Sequence, residues 1–452
     1  MNSSPAGANT ESTAAAKAAD ADATTVVTVE ALSHDGRGVA RIDGKVIFIE
    51  GTMPGEQAEV RLLRRHRRYE EWNLIRILRT SPERREPECH HFGTCGGCSL
   101  QHLPSELQVR SKQGTLAEQL KRIGKVEPQE WLPPLVGPIW GYRRRARLGA
   151  RLLPSRGGMF VGFREKRSSY LANLDSCSVL DPAVSELLIP LRELAAGLSC
   201  ADRLPQIEVA VGDNARALVF RHIVPLSAED NAKLRAFGET HDVQIFAQEG
   251  GPDSLRAIFP DVPEPLHYRL PDGTVVQFQP TDFIQVNAQM NGKMVEQALR
   301  LLDLQPTDAV LDLFCGLGNF TLPLARRAGH ALGIENDAAL VEGARGNAKR
   351  NGISNVEFRT ANLYGTDTPW ADWRFNKLLL DPPRNGAIET IKQLREPLPE
   401  RIVYVSCYAA TLARDAQYLV QILGYGLSRA GIMDMFPHTH HVEAMALFER
   451  TS

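Results

Sequence analysis

A cysteine and a glutamate near the C-terminus carry the side chains best suited to covalent chemistry. Cys407 follows the apolar residues 401–405, which predict a strand, so its thiol is expected where α/β sheets place ligands. Taken alone, Cys407 is better explained as a buried apolar residue, because free cysteines are usually inside proteins. Glu443 and an upstream glycine loop reverse this interpretation, because a thiol, a carboxylate and a cofactor loop together indicate covalent catalysis.

The glycine loop spans residues 311–320 and predicts a strand, a tight turn and the start of a helix. Gly316 and Gly318 allow the backbone to approach a ligand closely. Glu335, at the end of the next predicted strand, is placed to accept hydrogen bonds from both ribose hydroxyls. Thr321 occupies the position of the third glycine of a dinucleotide-binding loop, so a pyrophosphate ligand is disfavoured.

A second carboxylate, Asp381, follows the apolar residues 378–380 and precedes two prolines. Prolines after a strand hold an extended, rigid turn, so this carboxylate is expected to point into the crevice at the strand ends. Methyltransferases that modify nitrogens of bases receive the target amine on a related Asn/Asp-Pro-Pro motif. Here the motif continues with Arg384, which matches better the uracil-modifying family described next.

The glycine loop resembles that of class I methyltransferases, which bind S-adenosylmethionine. Residues 406–415 and 436–443 resemble the RNA uracil-5-methyltransferase family, and this resemblance is strong from about residue 280 to the C-terminus. It implies that Cys407 is the nucleophile and Glu443 the base, with S-adenosylmethionine as methyl donor. It also implies cofactor contacts at Gln285, Phe314, Gly316, Gly318, Asn319, Glu335, Asn362 and Asp381.

The chemistry of this family explains why a thiol and a base are needed. Carbon 5 of uracil is a poor nucleophile until a thiolate adds to carbon 6, and a base must then remove the carbon 5 proton. An ordinary cysteine has a pKa of about 8.5, so we expect some thiolate near neutral pH. One departure concerns Tyr408 and Ala409, which replace the Asn-Pro that usually follows the cysteine. Loss of the proline is expected to loosen the turn that aims the thiol.

Three cysteines in the first third of the chain are spaced C-x5-C-x2-C, and a fourth follows about 80 residues later. Four thiolates suit either zinc or an iron–sulfur cluster. Resemblance to the iron–sulfur members of the family favours a [4Fe-4S] cluster held by Cys89, Cys95, Cys98 and Cys177. Methyl transfer needs no electrons, so such a cluster is expected to shape the central domain and its RNA surface.

The remaining cysteines and a group of histidines are interpreted as structural. Cys200 lies outside any motif, and Cys315 is interpreted as a packing residue of the glycine loop. His438, His440 and His441 resemble a metal site, but the sequence offers no further ligands. We interpret these histidines as loop or RNA-facing residues.

Arginine is concentrated in two segments, although the 452-residue chain has a net charge of only −2. Residues 61–85 hold nine arginines against three glutamates, and residues 142–151 hold five arginines without an acid. Together with the nearby Tyr69, Trp72, Trp140 and Tyr142, these segments fit a phosphate backbone. A solvated surface explains either segment alone equally well, but two segments flanking the cysteine motif favour RNA.

These patterns predict a multidomain protein. Residues 1–24 are expected to be a disordered tail, and residues 25–84 an OB-like β-barrel that resembles the RNA-binding TRAM domain. Asp43-Gly44, between two apolar runs, predicts a tight hairpin in this barrel. Residues 85–280 are predicted to form an α+β central domain with the iron–sulfur site, in which a helix over residues 104–123 packs on the catalytic domain. Leu116, Leu120 and Ile123 are spaced for one apolar face of this helix and are expected to be buried. Residues 281–452 are predicted to be a class I, Rossmann-like α/β methyltransferase domain with seven strands, because strands and helices alternate from residue 309 onward. The clearest of these helices is predicted over residues 338–350.

The barrel and the cysteine motif together resemble the large-subunit rRNA branch of the family, which implies 23S rRNA as the partner. Another rRNA uridine or a tRNA uridine is the alternative substrate. A catalytically silent RNA-binding iron–sulfur protein is the alternative from another class, and the Tyr408-Ala409 departure supports it. Neither a signal peptide nor a membrane span is evident, so we expect a cytoplasmic monomer.

Overall fold

A computed structural model describes residues 24–365 and 367–450, and these residues form two compact units. The first unit contains the chain up to Glu88 together with Cys98–Ser111 and His438–His440. The second contains Cys89–Gly97, Lys112–Pro437 and the chain from His441 onward. Most of the predicted tail lies outside the described residues. Thr24, which was assigned to that tail, is the first residue of a strand.

The first unit is built on a six-stranded sheet with the order β1-β5-β6-β4-β3-β2. Its strands are β1 (Thr24–Thr28), β2 (Ala31–Leu32), β3 (Gly38–Ile42), β4 (Lys45–Ile49), β5 (Gln57–Arg65) and β6 (Tyr69–Arg79). Asp43 and Gly44 join β3 to β4 with positive φ angles of 49° and 78°, as the predicted tight hairpin requires. Alternate residues such as Ala40 and Ile47 are buried and form the core of this unit.

The predicted helix over residues 104–123 changes its character near the end. An α-helix, α1 (Ser105–Gln119), continues into a π-helical turn over Leu120–Gly124. Leu116 and Leu120 are buried as expected, but Ile123 is 40% exposed, because the wider π turn shifts the side chains that follow it. Gly124, at the end of the π turn, lies so close to the carbonyl oxygen of Ala413 that an added Cβ would be 2.8 Å from it.

The predicted central domain contains a mixed sheet and helices. After β7 (Glu130–Trp131) come β8 (Arg145–Leu153), β9 (Gly158–Gly162), β10 (Gln206–Val211), β11 (Arg216–Arg221), β12 (Gln244–Gln248) and β13 (Leu255–Phe259). Strands β8 to β13 form one sheet in the order β13-β12-β11-β10-β8-β9, in which only β11 and β12 are parallel. Helices α2 (Pro182–Ser185), α3 (Leu188–Ala196) and α4 (Ala228–His241) accompany it. The hairpin β14 (Leu266–Arg269) and β15 (Val275–Phe278) follows.

The C-terminal sheet has the seven predicted strands and one more, in the order β18-β17-β16-β19-β20-β22-β21-β7. Its strands are β16 (Ala309–Leu313), β17 (His330–Glu335), β18 (Val356–Thr360), β19 (Lys377–Leu380), β20 (Arg401–Ser406), β21 (Tyr425–Met433) and β22 (Glu443–Arg450). The associated helices are α5 (Ala288–Leu302), α6 (Thr321–Ala325), α7 (Ala338–Arg350), α8 (Ile388–Ile391) and α9 (Ala409–Gln421). The eighth strand, β7, was not predicted, because two residues are too short to show a periodic pattern.

Strand direction decides where the site lies. Strands β16 to β20 are all parallel, so their carboxyl ends meet at one edge of the sheet. Strand β22 is antiparallel to β20 and therefore begins at that same edge. Among the residues that the structure describes, no helix combines the length and apolar character needed to cross a membrane.

Candidate active site

The nucleophile and base candidates become neighbours through the pairing of β20 with β22. Ser406, the last residue of β20, pairs with Ala444. Because the two strands are antiparallel, Cys407, one residue after Ser406, lies beside Glu443, one residue before Ala444. Asp381 directly follows β19, the neighbour of β20, and its charge acts on both side chains. The structure therefore groups the thiol and the two carboxylates at the edge predicted from the sequence.

The thiol of Cys407 is less acidic than the sequence suggested. Burial, together with the negative charges of Glu443 and Asp381, raises the pKa of Cys407 to about 11. The expectation of an ordinary thiol with some thiolate at neutral pH is therefore wrong. A nearby cation is needed to stabilise the thiolate, and Arg384 already acts in that direction.

The two carboxyl groups hold protons unusually strongly. Burial, together with the charge of Asp381, raises the pKa of Glu443 to about 8, whereas the charges of Lys112 and Arg384 oppose the increase. Burial also raises the pKa of Asp381 to about 7. Carboxyl groups whose pKa values lie near neutrality are suited to proton transfer at physiological pH.

A buried ion pair that the sequence analysis missed lies near Glu443. The Lys112 ammonium donates to Asp434 at 2.6 Å and to the carbonyl oxygen of Phe436 at 2.9 Å, and both charged side chains are almost fully buried. Lys112 comes from α1, about 330 residues before Glu443, so no local sequence pattern could have identified it. Its charge favours the ionised form of Glu443.

The glycine loop adopts the backbone geometry that its sequence predicts. Gly316 and Gly318 have positive φ angles of 52° and 88°, and Phe314 shares this unusual conformation at 68°. The N–H of Gly316 donates to the carboxylate of Glu335 at 3.2 Å. This contact joins the ends of β16 and β17, where a ribose and its neighbouring groups are expected. Cys315 is buried, as predicted.

Asn319 belongs to a network whose other members the sequence did not reveal. Its side-chain amide forms two reciprocal hydrogen bonds with Asn291 of α5, each of 2.9 Å. The Tyr268 hydroxyl also donates to the Asn319 oxygen at 2.9 Å, and burial raises the pKa of Tyr268 well above its usual value. These contacts hold the start of the helix that follows the glycine loop.

The remaining predicted cofactor residues lie at the ends of the same strands or just before α5. Asn362 follows β18 and is exposed, and the preceding Ala361 N–H donates to the Glu335 carbonyl at 2.9 Å. Gln285 is half-buried and lies two residues before Asn287, which caps α5. The ring of Phe314 lies 5.6 Å from the ring of Tyr364, an aromatic side chain that the sequence analysis did not select.

One acidic residue beneath the glycine loop is buried without a cationic partner among its hydrogen bonds. Asp312 is fully buried and accepts a 2.5 Å hydrogen bond from the Thr321 hydroxyl, while its other oxygen has no hydrogen-bond partner among the residues that the structure describes. Burial raises the pKa of Asp312 to about 8. Thr321, at the position of the absent third glycine, therefore supports the loop through its hydroxyl group.

The second unit brings three of the four predicted cluster cysteines together. Burial raises the pKa of Cys95, and the nearby Cys177 and Cys89 add to the increase. The Cys95 sulfur accepts the Gly97 N–H at 3.4 Å, and backbone N–H groups of Val179 and Leu180 act on the Cys177 sulfur in the same way. Backbone N–H bonds to sulfur suit thiolates that ligate a metal centre. The residues present therefore fit the chemistry of the predicted group.

A second set of possible metal ligands adjoins these cysteines. The Nε2 atoms of His90 and His91 both lie 2.8 Å from one carboxylate oxygen of Asp175. Hydrogen bonding to His91 lowers the pKa of Asp175 to about 2. All three residues have donor atoms within 4.8 Å of one another, a grouping that the C-x5-C-x2-C spacing did not reveal.

Several side chains assigned to an RNA surface are instead internal. His438 is 4% exposed and bonds Gln108 through its backbone N–H, so it does not face solvent. Trp72 and Tyr142 are also buried. Within the second arginine segment, Arg145 is paired with the buried Glu208 at 2.7 Å, so it supports the central sheet. Most arginines of the first segment, residues 61–85, are exposed, namely Arg61, Arg64, Arg65, Arg67, Arg68, Arg76, Arg79 and Arg85.

Comparisons with known proteins agree with this architecture. A family model described as tRNA (Uracil-5-)-methyltransferase matches residues 272–451, and a TRAM domain model matches residues 23–70. The crystal structure of Pyrococcus abyssi tRNA (uracil-54, C5)-methyltransferase with S-adenosyl-L-homocysteine aligns with a TM-score of 0.69 at 26% identity. The alignment covers 94% of this chain and 100% of that chain. The fold and the site thus define an RNA (uracil-C5)-methyltransferase with an N-terminal TRAM domain.

Whole-length relatives specify the branch. A Thiobacillus denitrificans protein named 23S rRNA (uracil(1939)-C(5))-methyltransferase RlmD is 53% identical over 430 residues, covering 94% of this chain and 99% of that protein. A Nitrosococcus oceani protein of the same name is 50% identical over 427 residues, covering 94% of this chain and 95% of that protein. The chain belongs to the RlmD family of 23S rRNA (uracil-C5)-methyltransferases, which confirms the predicted family.

Proposed function

We propose that this protein transfers a methyl group from S-adenosylmethionine to carbon 5 of the 23S rRNA uridine that corresponds to position 1939 in its relatives' names. The observation that carries this proposal is the pairing of β20 with β22, which brings Cys407 beside Glu443 at the sheet edge that also holds the glycine loop. Identity of 53% to a protein named for this reaction supports the substrate.

In the proposed reaction, the Cys407 sulfur bonds to carbon 6 of the uracil ring. The electron pair displaced from the carbon 5–carbon 6 double bond makes carbon 5 nucleophilic. S-adenosylmethionine, when bound, would supply a positive charge and an electrophilic methyl group; a bond from carbon 5 to this methyl group would form as the methyl–sulfur bond breaks, with S-adenosylhomocysteine as the leaving group. Because the pKa of Cys407 is about 11, this attack depends on positive charge near the sulfur, and Arg384 provides part of it.

Glu443 is proposed to complete the reaction as the base. After methylation, its carboxylate removes the carbon 5 proton, the double bond reforms, and the Cys407 sulfur leaves carbon 6. With a pKa of about 8, Glu443 is largely protonated at pH 7 in the ligand-free site, so it must lose a proton before this step. Lys112 and Arg384 favour that ionised form.

The methyl donor is proposed to lie along the ends of β16, β17 and β18. Glu335 would accept the ribose hydroxyls, and the Gly316–Gly318 turn would contact the methionine part. The proposed cofactor residues are Gln285, Phe314, Gly316, Gly318, Asn319, Glu335, Asn362 and Asp381. Backbone strain at Phe314 and the hydrogen bonds that fix Asn319 support this assignment, because both features pre-organise a binding loop.

The four motif cysteines are proposed to hold a [4Fe-4S] cluster with a structural role. Cys89, Cys95 and Cys177 act electrostatically on one another, and Cys98 lies three residues along the chain from Cys95. Iron and sulfide analysis of anaerobically purified protein tests this proposal, with about four of each per chain expected for such a cluster. Stoichiometric zinc without sulfide would contradict it.

Methylation is tested with 23S rRNA from a strain that lacks the gene and with labelled methyl donor. Mass spectrometry of the product should place one methyl group on carbon 5 of the proposed uridine. Transcribed tRNA serves as the competing substrate, because the structural relative at 26% identity is named for a tRNA uridine. Methylation of tRNA alone would overturn the substrate. Absence of transfer to either RNA, with intact donor binding, would instead favour a catalytically silent protein.

Covalent catalysis has its own test. Glu443→Gln should accumulate a methylated RNA adduct that resists denaturation, because the carbon 5 proton is no longer removed. Cys407→Ala should form none, whereas Cys200→Ala is the matched control, since this cysteine is buried in the core of the central sheet. An adduct in the Cys407→Ala protein would show that another residue is the nucleophile.

A further inference from the structure

An exposed aromatic ring directly follows the proposed nucleophile. Tyr408 is 42% exposed, and the guanidinium of Arg384 lies 5.1 Å from the centre of its ring. Arg384 follows the Asp-Pro-Pro turn after β19, so the pair joins the ends of two neighbouring strands. The outer part of the ring remains open to solvent beside the catalytic groups.

The turn at Tyr408 is held by its backbone and not by its ring. The Tyr408 N–H donates to Ser406 Oγ at 3.1 Å, and that hydroxyl donates in turn to the Tyr408 carbonyl oxygen at 3.1 Å. Thr411 Oγ also donates to this carbonyl at 2.9 Å. These three hydrogen bonds support the turn, and the Tyr408 ring takes part in none of them. The ring is therefore available for another role.

Sheet order indicates which ligand the ring can contact. The proposed donor residues Asn362, Glu335 and Asp381 follow β18, β17 and β19, whereas Tyr408 follows β20, which lies beyond all three strands in the sheet order. The backbone of Tyr408 is extended, with φ −151° and ψ 102°. Neighbouring side chains in extended backbone point to opposite sides, so the ring and the Cys407 thiol face different groups.

We propose that Tyr408 and Arg384 form a stacking platform for an RNA base next to the target uridine, which holds the strand while that uridine occupies the catalytic site. This inference rests on the proposed function. An aromatic face stacks on any base, and the guanidinium adds attraction for the base and its phosphate. Extraction of a base from its stack requires that its neighbours be held, and an exposed ring beside the nucleophile meets that need.

The test compares Tyr408→Leu, Tyr408→Phe and Tyr408→Trp on a 23S rRNA fragment. Loss of one stacked base predicts a rise of roughly tenfold in KM for RNA with leucine, on the scale of ~1–3 kcal/mol per base. Phenylalanine and tryptophan should restore the wild-type value, and KM for S-adenosylmethionine should not change. Tyr170→Leu is the matched control, since Tyr170 is 49% exposed beneath Arg156 at 4.9 Å.

RNA lacking the base on either side of the target uridine tests the contact itself. One of the two abasic RNAs should raise KM for the wild-type protein roughly as much as Tyr408→Leu does, and it should have little further effect on the leucine variant. If Tyr408→Leu raised KM by the same factor on each abasic RNA as on intact RNA, the ring would not stack on either neighbouring base and the proposal would be overturned. Equal KM values for the wild-type and leucine proteins on intact RNA would do the same.

Cys407 alkylation in the absence of RNA separates stacking from support of the turn. The rate, measured on the peptide that contains Cys407, should be the same in the wild-type and Tyr408→Leu proteins. A changed rate would show that the ring positions the thiol and would overturn the proposal. A wild-type protein that methylates RNA but is indifferent to Tyr408 refutes only this inference, whereas one that transfers no methyl group refutes the proposed function as well.

Discussion

Replacing Glu443 with glutamine tests how the site controls the acidity of its nucleophile. The carboxylate of Glu443 is the strongest charge acting on the thiol and, after burial, the second cause of the raised pKa of Cys407. Glutamine keeps the shape of the side chain but removes the charge. Burial and Asp381 remain, so the pKa of Cys407 in Glu443→Gln should fall below about 11 and stay above 9.0.

The size and the pH dependence of the effect follow from these values. Each unit by which the pKa falls raises the thiolate fraction about tenfold, and the accompanying loss of nucleophilicity reduces the gain in rate to about three- to fourfold. At pH 9 the wild-type Glu443 is ionised, because its pKa is about 8, so the variant should be alkylated faster. At pH 6.5 the wild-type carboxyl is already neutral, and the two rates should converge.

The assay is alkylation of Cys407 by a small thiol reagent between pH 6.5 and 9.5, quantified by mass spectrometry of its peptide. Glu449→Gln is the matched control, because Glu449 lies at the far end of the same strand, where it pairs with Arg401 at 2.9 Å. A ratio of variant to wild-type rates that stays constant with pH, or lies below one at pH 9, would refute the coupling of Glu443 to the thiol.

Other contacts yield further predictions. Lys112→Met should destabilise the protein by roughly 3–5 kcal/mol in urea unfolding, because Asp434 stays buried without its partner, and adding Asp434→Asn should recover much of the loss. If it does not, the ion pair is not the cause. The pKa of Asp312 is about 8 in the folded protein against 3.8 ordinarily, so folding retains a proton that the unfolded chain releases. The free energy of unfolding of the cofactor-free protein should therefore fall as the pH rises from about 4 to 8, by up to ~1.4 kcal/mol per pH unit because of this group. Thermal unfolding of Asp312→Asn should lack this contribution to the pH dependence. Gly318→Ala should weaken S-adenosylmethionine binding in calorimetry by at least about tenfold, because φ is 88° and the new Cβ would lie 3.0 Å from Leu322. Unchanged affinity would show that this turn does not contact the donor.

Local patterns in the sequence determined much of the fold. Alternation of strand and helix predicted β16 to β22, and the helix over 338–350 was predicted with the bounds that the structure has. The Asp43-Gly44 hairpin and the Gly316–Gly318 turn were also readable, because each depends on residues adjacent in the chain. Ile123 was predicted to be buried and is not, because the change from α to π geometry at Leu120 leaves no local signal.

The choice of Cys407 also came from the sequence, since its position after an apolar strand and its resemblance to a family are both local properties. Its acidity could not be obtained in the same way. The pKa of a side chain depends on burial and on charges that may be distant in sequence, and here Glu443, Asp381 and Arg384 act together on one thiol. Only strand order and direction bring these residues to the same edge of the sheet.

Asn291, Tyr268 and Lys112 illustrate the same difference between what local sequence shows and what only the tertiary structure shows. Each lies in an ordinary segment, and each contacts the site through packing between elements that are far apart along the chain. The sequence by itself thus determined which residue types and which turns serve the chemistry. The tertiary structure alone decided which charges and hydrogen bonds surround them, because those depend on distances in space that no periodic pattern records.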